Sequence, residues 1–304
     1  MSAPSRGPSP YAERGVAVIM AMLTVALVAA LAASVVAAYG FAVENVSGRH
    51  DLAEARWLAR GAVDWARNVL ADDKRRTRQD HFGEPWAIKI PPTPVDEGEV
   101  GGEIEELSGR FNINDLAPNG VADPQAQQAF ERLLTLVDVP PQKAKELALV
   151  ATAWVDFDQE APKGLNSDVS KAPNAPLVTI DELLDAPGFD ASLLERLRPL
   201  VTAVSTGSKL NLNTISPEVM CAWFPTLTID NARAYVAARG TAYYLDVTGF
   251  NTATGLQAPP NRFDVQSRFF LVVGRARFGS ATTRMQVLLD RNSNWPDIIW
   301  QRIL

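Results

Sequence analysis

Apolar residues follow different rhythms along the chain. From Val16 to Val43 the run VAVIMAMLTVALVAALAASVVAAYGFAV carries no charge, and Thr24 and Ser34 are its minor polar interruptions. At about 1.5 Å per residue, such a run crosses about 30 Å of hydrocarbon as a helix. From Asp51 to Leu70 the apolar positions Leu52, Ala55, Ala59, Ala62, Ala66 and Val69 recur at steps of three and four. Trp57, Leu58, Val63, Trp65 and Leu70 widen that stripe, and Glu54, Arg56, Arg60, Asp64 and Arg67 take the other faces. The expectation is one long helix, apolar all round at first and then amphipathic, ending at the solvated charge run Asp72–Arg76. Its amphipathic half needs a partner layer, and a sheet is the usual one.

Beyond a proline-rich connection from Pro85 to Pro94, two strand-like runs follow, Val100–Leu107 and Arg110–Asn114, with a turn expected at Ser108-Gly109. Residues from Pro124 to Val204 read as helical. Asp123-Pro124 starts one helix as cap and first residue, Pro140-Pro141 end it, and a second runs from Gln142 to Val155. Thr179 and Glu182 form a capping box for a short third, and Asp190 caps a fourth that ends near Leu197. Ser216-Pro217-Glu218 opens another, and Thr228 or Asp230 opens one closed by Gly240. Phe263–Val273, Arg275–Phe278 and Thr282–Leu289 read as an antiparallel meander turning at Phe278-Gly279-Ser280. The order is helix, strands, helical insertion, strands: an α+β layout.

The N-terminal segment has three readings. A secretory signal peptide would have a shorter apolar core, with cleavage near Ala29–Ala33; a signal anchor would simply stay in the membrane. A prepilin-type leader is short and polar, ends in Gly and is cut before the apolar run, and Arg14-Gly15-Val16 fits that layout.

Composition narrows the function. The net charge is −6, with 47% apolar and 21% charged residues, an ordinary folded composition without the basic surface of a nucleic-acid binder. The single cysteine, Cys221, excludes an intrachain disulfide and reads as a small buried hydrophobe. The two histidines, His50 and His81, have no ligand-spaced partners. The chain also lacks a phosphate loop and a dinucleotide fingerprint, so the expectation is a protein that is not an enzyme. The densest acidic spot is Asp156, Asp158 and Glu160 at a helix end. With Asp168 and backbone carbonyls these oxygens suit calcium, which takes six to eight. The alternative is a solvated loop in which Asp156 turns the backbone. Leu210–Met220 followed by Ala232–Gly240 resembles a helix-hairpin-helix repeat, but the hairpin Phe224–Asp230 has no Gly, which favours a structural use over DNA binding.

Taken in order, these motifs resemble the type II secretion protein K family of minor pseudopilins. They are the leader with Arg14-Gly15, the strand Gly109–Asn114 (GRFNIN), the W-x-D-x-D segment Trp154–Asp158, the repeat Leu210–Thr214 and the closing meander Phe269–Arg291. The resemblance implies a pilin-like helix on a sheet, interrupted by an all-helical (helix-hairpin-helix/SAM-like) insertion. The implied segments are a leader (1–15), a membrane helix (16–43), its periplasmic half (44–79), the sheet (80–118 and 262–304) and the insertion (119–261). It implies cleavage between Gly15 and Val16 by a prepilin peptidase and methylation of Val16. It implies a single pass through the inner membrane with a periplasmic C-terminal domain. The implied partners are minor pseudopilins I and J, other pseudopilus subunits and the inner-membrane secretion platform, with no nucleic acid. No cofactor is required, and the relatives' calcium would fall on Asp156, Asp158, Glu160 and Asp168. Pilins carry Glu at the fifth mature position; here it is Met20, which fits a subunit at the pseudopilus tip, with none above it, that starts the pseudopilus and blocks further addition. Two rivals are a minor subunit of a type IV pilus or competence system and a signal-anchored periplasmic binding module.

Overall fold

The computed structural model describes residues 10–96, 98–157, 172–240 and 242–304. Helix α1 (Pro10–Arg76) is unbroken, so the apolar and amphipathic halves form one rod. Its second half lies on a five-stranded antiparallel sheet built from β1 (Ile90–Val95), β2 (Gly98–Glu106), β7 (Phe269–Phe278), β8 (Ala281–Asp290) and β9 (Asp297–Ile303), in the order β1-β2-β7-β8-β9. Between β2 and β7 comes an insertion with β3 (Phe111–Asn112), α2 (Pro124–Leu136), α3 (Pro141–Val155), α4 (Ala191–Leu197), β4 (Val201–Thr202), β5 (Leu210–Asn211), α5 (Pro217–Trp223), α6 (Ile229–Arg239), α7 (Val247–Thr254) and β6 (Phe263–Asp264). This is the expected α+β layout of a long helix on an antiparallel sheet, with a helical insertion.

The small side chains of the α1 stripe explain how helix and sheet meet. Ala59, Val63, Ala66 and Leu70 are buried against Phe270, Val272, Met285, Val287 and Leu289. The helix backbone lies close over Gly274 of β7, where an added Cβ would stand 3.2 Å from the Ala59 carbonyl oxygen. Two contacts orient the unit. Near the start of the sheet-packed half, the Asp51 carboxylate accepts bonds from Ser280 N and Oγ, both 3.0 Å, at the β7–β8 turn. At the far end, Lys74 donates to the carbonyls of Arg291 and Asn292, each at 2.7 Å. The insertion leaves the sheet after Glu106 and returns at Phe269, which pairs with Asp290. It therefore emerges at the end of the sheet farthest from the apolar half of α1, beside Lys74, which lies about 35 Å along the helix from Asp51 at about 1.5 Å per residue.

Most of the expected caps form. Asp123 accepts from Gln125 N at 2.8 Å, Asp190 from Leu193 N at 2.8 Å, and Thr179 with Glu182 makes the capping box over a 3-10 helix (Ile180–Asp185). Thr228 rather than Asp230 caps α6.

Several expectations change. The hairpin through Ser108-Gly109 does not form: β2 pairs with β1 and β7, while β3 pairs in parallel with β4. The Glu106 carboxylate accepts from Ser108 N and Gly109 N, bending the chain out of the sheet. Gly109 packs so closely on the Thr214 backbone that a Cβ would sit 2.7 Å from its carbonyl carbon. The proline-rich connection contains β1, and prolines are tolerated there because it is an edge strand. The run Phe263–Val273 is split, with β6 pairing with β5 in the insertion and β7 starting at Phe269. Helix α7, capped by Asp246, and strand β9 are additional elements. Phe111, Ile113, Leu116 and Phe263 pack into one buried apolar cluster with the insertion's helices, distinct from the helix–sheet cluster.

The insertion contains a repeated asparagine device. In Phe111-Asn-Ile-Asn114 and Leu210-Asn-Leu-Asn213 the leading Asn accepts from the amide two residues on, 3.3 and 2.8 Å. The second Asn then clamps a distant loop through both amide atoms. Asn114 accepts from Leu177 N at 2.8 Å and donates to Leu177 O at 2.9 Å. Asn213 accepts from Tyr244 N at 2.8 Å and donates to Tyr244 O at 3.0 Å. A primary amide is the side chain that offers a donor and an acceptor side by side, like a backbone bridge.

Candidate functional site

Two regions carry functional chemistry: the apolar half of α1 and the polar junction at its far end. Every residue from Gly15 to His50 is exposed, including Val16 at 61% and Met20 at 59%. An apolar surface of this extent needs lipid or other chains around it. Among the described residues α1 is the one helix long and apolar enough to cross a membrane. The two aliphatic hydroxyls of its run from Val16 to Val43 are satisfied internally: Thr24 donates to the Met20 carbonyl at 2.8 Å and Ser34 to the Leu31 carbonyl at 2.7 Å. A Cβ at Gly15 would meet nothing within 4 Å, so packing within this chain does not require glycine there.

The four acidic residues expected to hold calcium are not brought together among the described residues. Asp158, Glu160 and Asp168 lie outside them. Asp156 is buried as the C-cap of α3, its amide donating to Thr152 O at 3.0 Å, and Phe157 N beside it donates to Gly120 O at 3.3 Å. One carboxylate supplies too few oxygens for calcium, and the other three expected ligands lie outside the described residues.

The carboxylate cluster that does assemble lies elsewhere, in the charge run expected to be solvated and in the connector after it. Asp73, Asp80 and Glu84 are buried, with one oxygen of each within 4.8 Å of the others. Their cation is Arg291, which follows β8. It donates to Asp73 at 2.8 Å, to Asp80 at 2.5 Å and to Ser267 O at 2.9 Å, and stands over the Phe270 ring at 4.6 Å. Glu84 accepts from Trp86 Nε1 at 2.8 Å, Thr77 Oγ1 at 3.0 Å and His81 N at 3.0 Å. With its cation supplied by an arginine, the cluster is a structural ion network rather than a metal cage.

The network continues into the insertion. Asp80 accepts from Ser267 N at 2.7 Å, and Asn211 Nδ2 donates to Ser267 Oγ at 2.7 Å and to the Asp80 carbonyl at 3.0 Å. The end of α1, the sheet and the second asparagine repeat are thus tied at one point. Burial, reinforced by the charges of Glu84 and Asp80, pushes the Asp73 carboxyl up to about 7 against the pull of Arg291. Burial also raises Glu106 and pushes Asp115 up to about 6. Sequence reasoning missed this network because its members are scattered from position 73 to 291; Asp73 beside an amphipathic stripe was the available signal.

Comparisons with known proteins agree with this architecture. Two domain profiles, both described as Type II secretion system (T2SS), protein K, match residues 109–206 and 210–268, divided between the two asparagine repeats. Type II secretion system protein K of Klebsiella pneumoniae is 28% identical, with 96% of this chain and 97% of that protein covered. The protein of the same name from Pseudomonas aeruginosa is 30% identical, with 91% and 88% covered. Among solved structures, a chain of the GspK-GspI-GspJ complex from the enterotoxigenic Escherichia coli type 2 secretion system superposes with a TM-score of 0.70. It shares 21% identity, with 86% of this chain and 99% of that chain covered. A helix–sheet unit carrying this two-repeat insertion, matched along nearly its whole length by such relatives, belongs to the type II secretion system protein K family.

Proposed function

We propose that this chain is a minor pseudopilin at the tip of the type II pseudopilus, where it initiates assembly and caps it during export across the outer membrane. The observation that carries this reading is the placement of the insertion. It rises from the membrane-distal end of the sheet, above the end of α1, where a further subunit would otherwise stack. Met20 supports it: the membrane segment has no carboxylate to offer a subunit above. In this reading the peptidase cuts between Gly15 and Val16 and Val16 is methylated, which gives Gly15 a role that packing does not. The folded part stands in the periplasm, minor pseudopilins I and J are the partners, calcium binds at Asp156, Asp158, Glu160 and Asp168, and the role is structural rather than enzymatic.

The test is deletion of the gene in its own host. The expected result is loss of export together with pseudopili that are fewer, or longer when the major subunit is overproduced. Undiminished export with unchanged pseudopili would sink the proposal. Mass spectrometry of the mature amino terminus checks the processing step independently. Methyl-Val16 is expected, and an intact Met1 or an end near Ala30 would refute it.

A further inference from the structure

The face of the sheet that carries α1 is covered unequally. Toward β9 the helix is closed in: Arg67 donates to Pro296 O at 3.0 Å and stands 4.7 Å over the Trp295 ring. Toward β1 and β2 an apolar groove of about 420 Å³ stays open between α1 and the sheet. Trp57, Gly61 and Trp65 form its helix wall, with Ile88, Ile90 and Ile104 opposite. Trp57 is 69% exposed, Trp65 51% and Ile88 62%. The i, i+4, i+8 spacing puts Gly61 as a notch between two indoles on one helix face, and a Cβ at Gly61 would meet nothing within 4 Å.

From these observations we infer that the groove is the seat of a neighbouring subunit's helix, one anchored in the same membrane and running alongside α1 with an apolar ridge in the notch. This rests on the pseudopilin reading above and deepens it by assigning the face. Lipid does not reach the groove. Trp57 lies about 21 Å along the helix beyond Val43 at about 1.5 Å per residue, whereas the headgroup layer adds about 5–8 Å on each side. An added strand is disfavoured because the bordering edge strand β1 holds Pro91, Pro92 and Pro94, which lack N–H groups. A membrane-anchored helix fits by continuity: the exposed apolar residues of the membrane half extend to Val46 and resume at Trp57 on the same unbroken helix, so a helix packed beside α1 in the bilayer arrives at the groove. Indole walls around a small-residue notch are the kind of pocket that anchors an interface.

The test uses the full chain in its native membrane, co-expressed with minor pseudopilins I and J. A photo-crosslinking amino acid is placed at Gly61 or Ile88, and for comparison at Arg302 on β9. Crosslinks to I or J from positions 61 and 88, at least tenfold above those from 302, are expected. Gly61→Trp, which fills the notch without touching the core, should cut co-purification of that partner at least tenfold while the melting temperature holds. Crosslinks from 302 but not from 61 or 88 would overturn the groove assignment and leave the pseudopilin reading standing. Crosslinks at 61 only to a second copy of this chain would also overturn it. Crosslinks to neither partner from any position would overturn both.

Discussion

Asp73 shares the Arg291 guanidinium with Asp80 while a third buried carboxylate, Glu84, stands close by, and that crowding of negative charge has a measurable consequence. Its carboxyl is pushed up to about 7 from an ordinary value of 3.8, chiefly by burial. A carboxyl raised on folding holds its proton better in the native state than in the unfolded chain. Its stabilising contribution is therefore complete below the unfolded value and fades as pH rises through about 7. The melting temperature of the detergent-solubilised chain is expected to fall between pH 5.5 and pH 8. Asp73→Asn, which mimics the protonated form and still accepts from Arg291, should fall less. Asp115, pushed up to about 6, and the raised Glu106 contribute with the same sign in both proteins, so the difference between the two slopes isolates Asp73. Parallel slopes would refute the assignment. Asn114 makes a second test at this scale. Asn114→Ala leaves the Leu177 N–H and C=O without partners, at about 1–3 kcal/mol for each buried unsatisfied group. Asn114→Asp keeps an acceptor but loses the donors and buries a charge, so it should cost more than alanine in urea unfolding.

Helix and sheet meet through missing side chains as much as through large ones. Gly274 lets β7 pass under the Ala59 carbonyl, and a branched side chain there has to push α1 away from β7. Gly274→Val is expected to cost about 1–3 kcal/mol, as overpacking does, and to lower the urea midpoint, whereas Thr282→Val at an exposed position near the start of β8 should leave it nearly unchanged. Equal midpoints would show that the helix–strand contact is loose. The elements that announced themselves in the sequence share a local code: the three-four stripe of α1, the caps at Asp123, Thr179 and Asp190, and the turn at Gly279-Ser280. Those that stayed hidden depend on remote partners. Residues Ile90–Val95 form a strand only because β2 lies beside them, and β9 forms only against β8. Phe111-Asn112 leaves the sheet to pair with Val201-Thr202, because the Glu106 carboxylate captures the Ser108 and Gly109 amides. The site divides the same way. The membrane run and Met20 are legible one residue after another, while the Asp73–Asp80–Arg291 network and the groove beside Trp57 exist only once the sheet has assembled.

The whole molecule has one core under α1, one within the insertion and a small apolar cluster between them, where Val204 of the insertion packs with Leu107, Phe269 and Leu288. The two larger parts also meet through the bend at Glu106–Gly109 and the Arg291 network. Because β2 and β7 are already antiparallel neighbours, with Glu106 opposite Phe270, the insertion can in principle be replaced by a two-residue hairpin turn. Replacing Ser108–Arg268 with Asn-Gly removes the insertion's core along with the Ser267 and Asn211 ends of the polar network. It leaves the Arg291–Asp73–Asp80 ion pairs and the apolar contacts beneath α1. The shortened chain is expected to insert in the membrane, to give the circular dichroism of a helix packed on a sheet, and to keep the groove at Gly61. Without mass above the distal end of α1, it should no longer stop growth, so overproduced major subunit should form longer pseudopili than with the full chain. If the shortened chain folds and pseudopili reach the same length with either chain, the proposed cap does not reside in the insertion. A block carried instead by the membrane helix predicts that Met20→Glu in the full chain lengthens the pseudopili, and unchanged length with that variant too would refute the capping proposal.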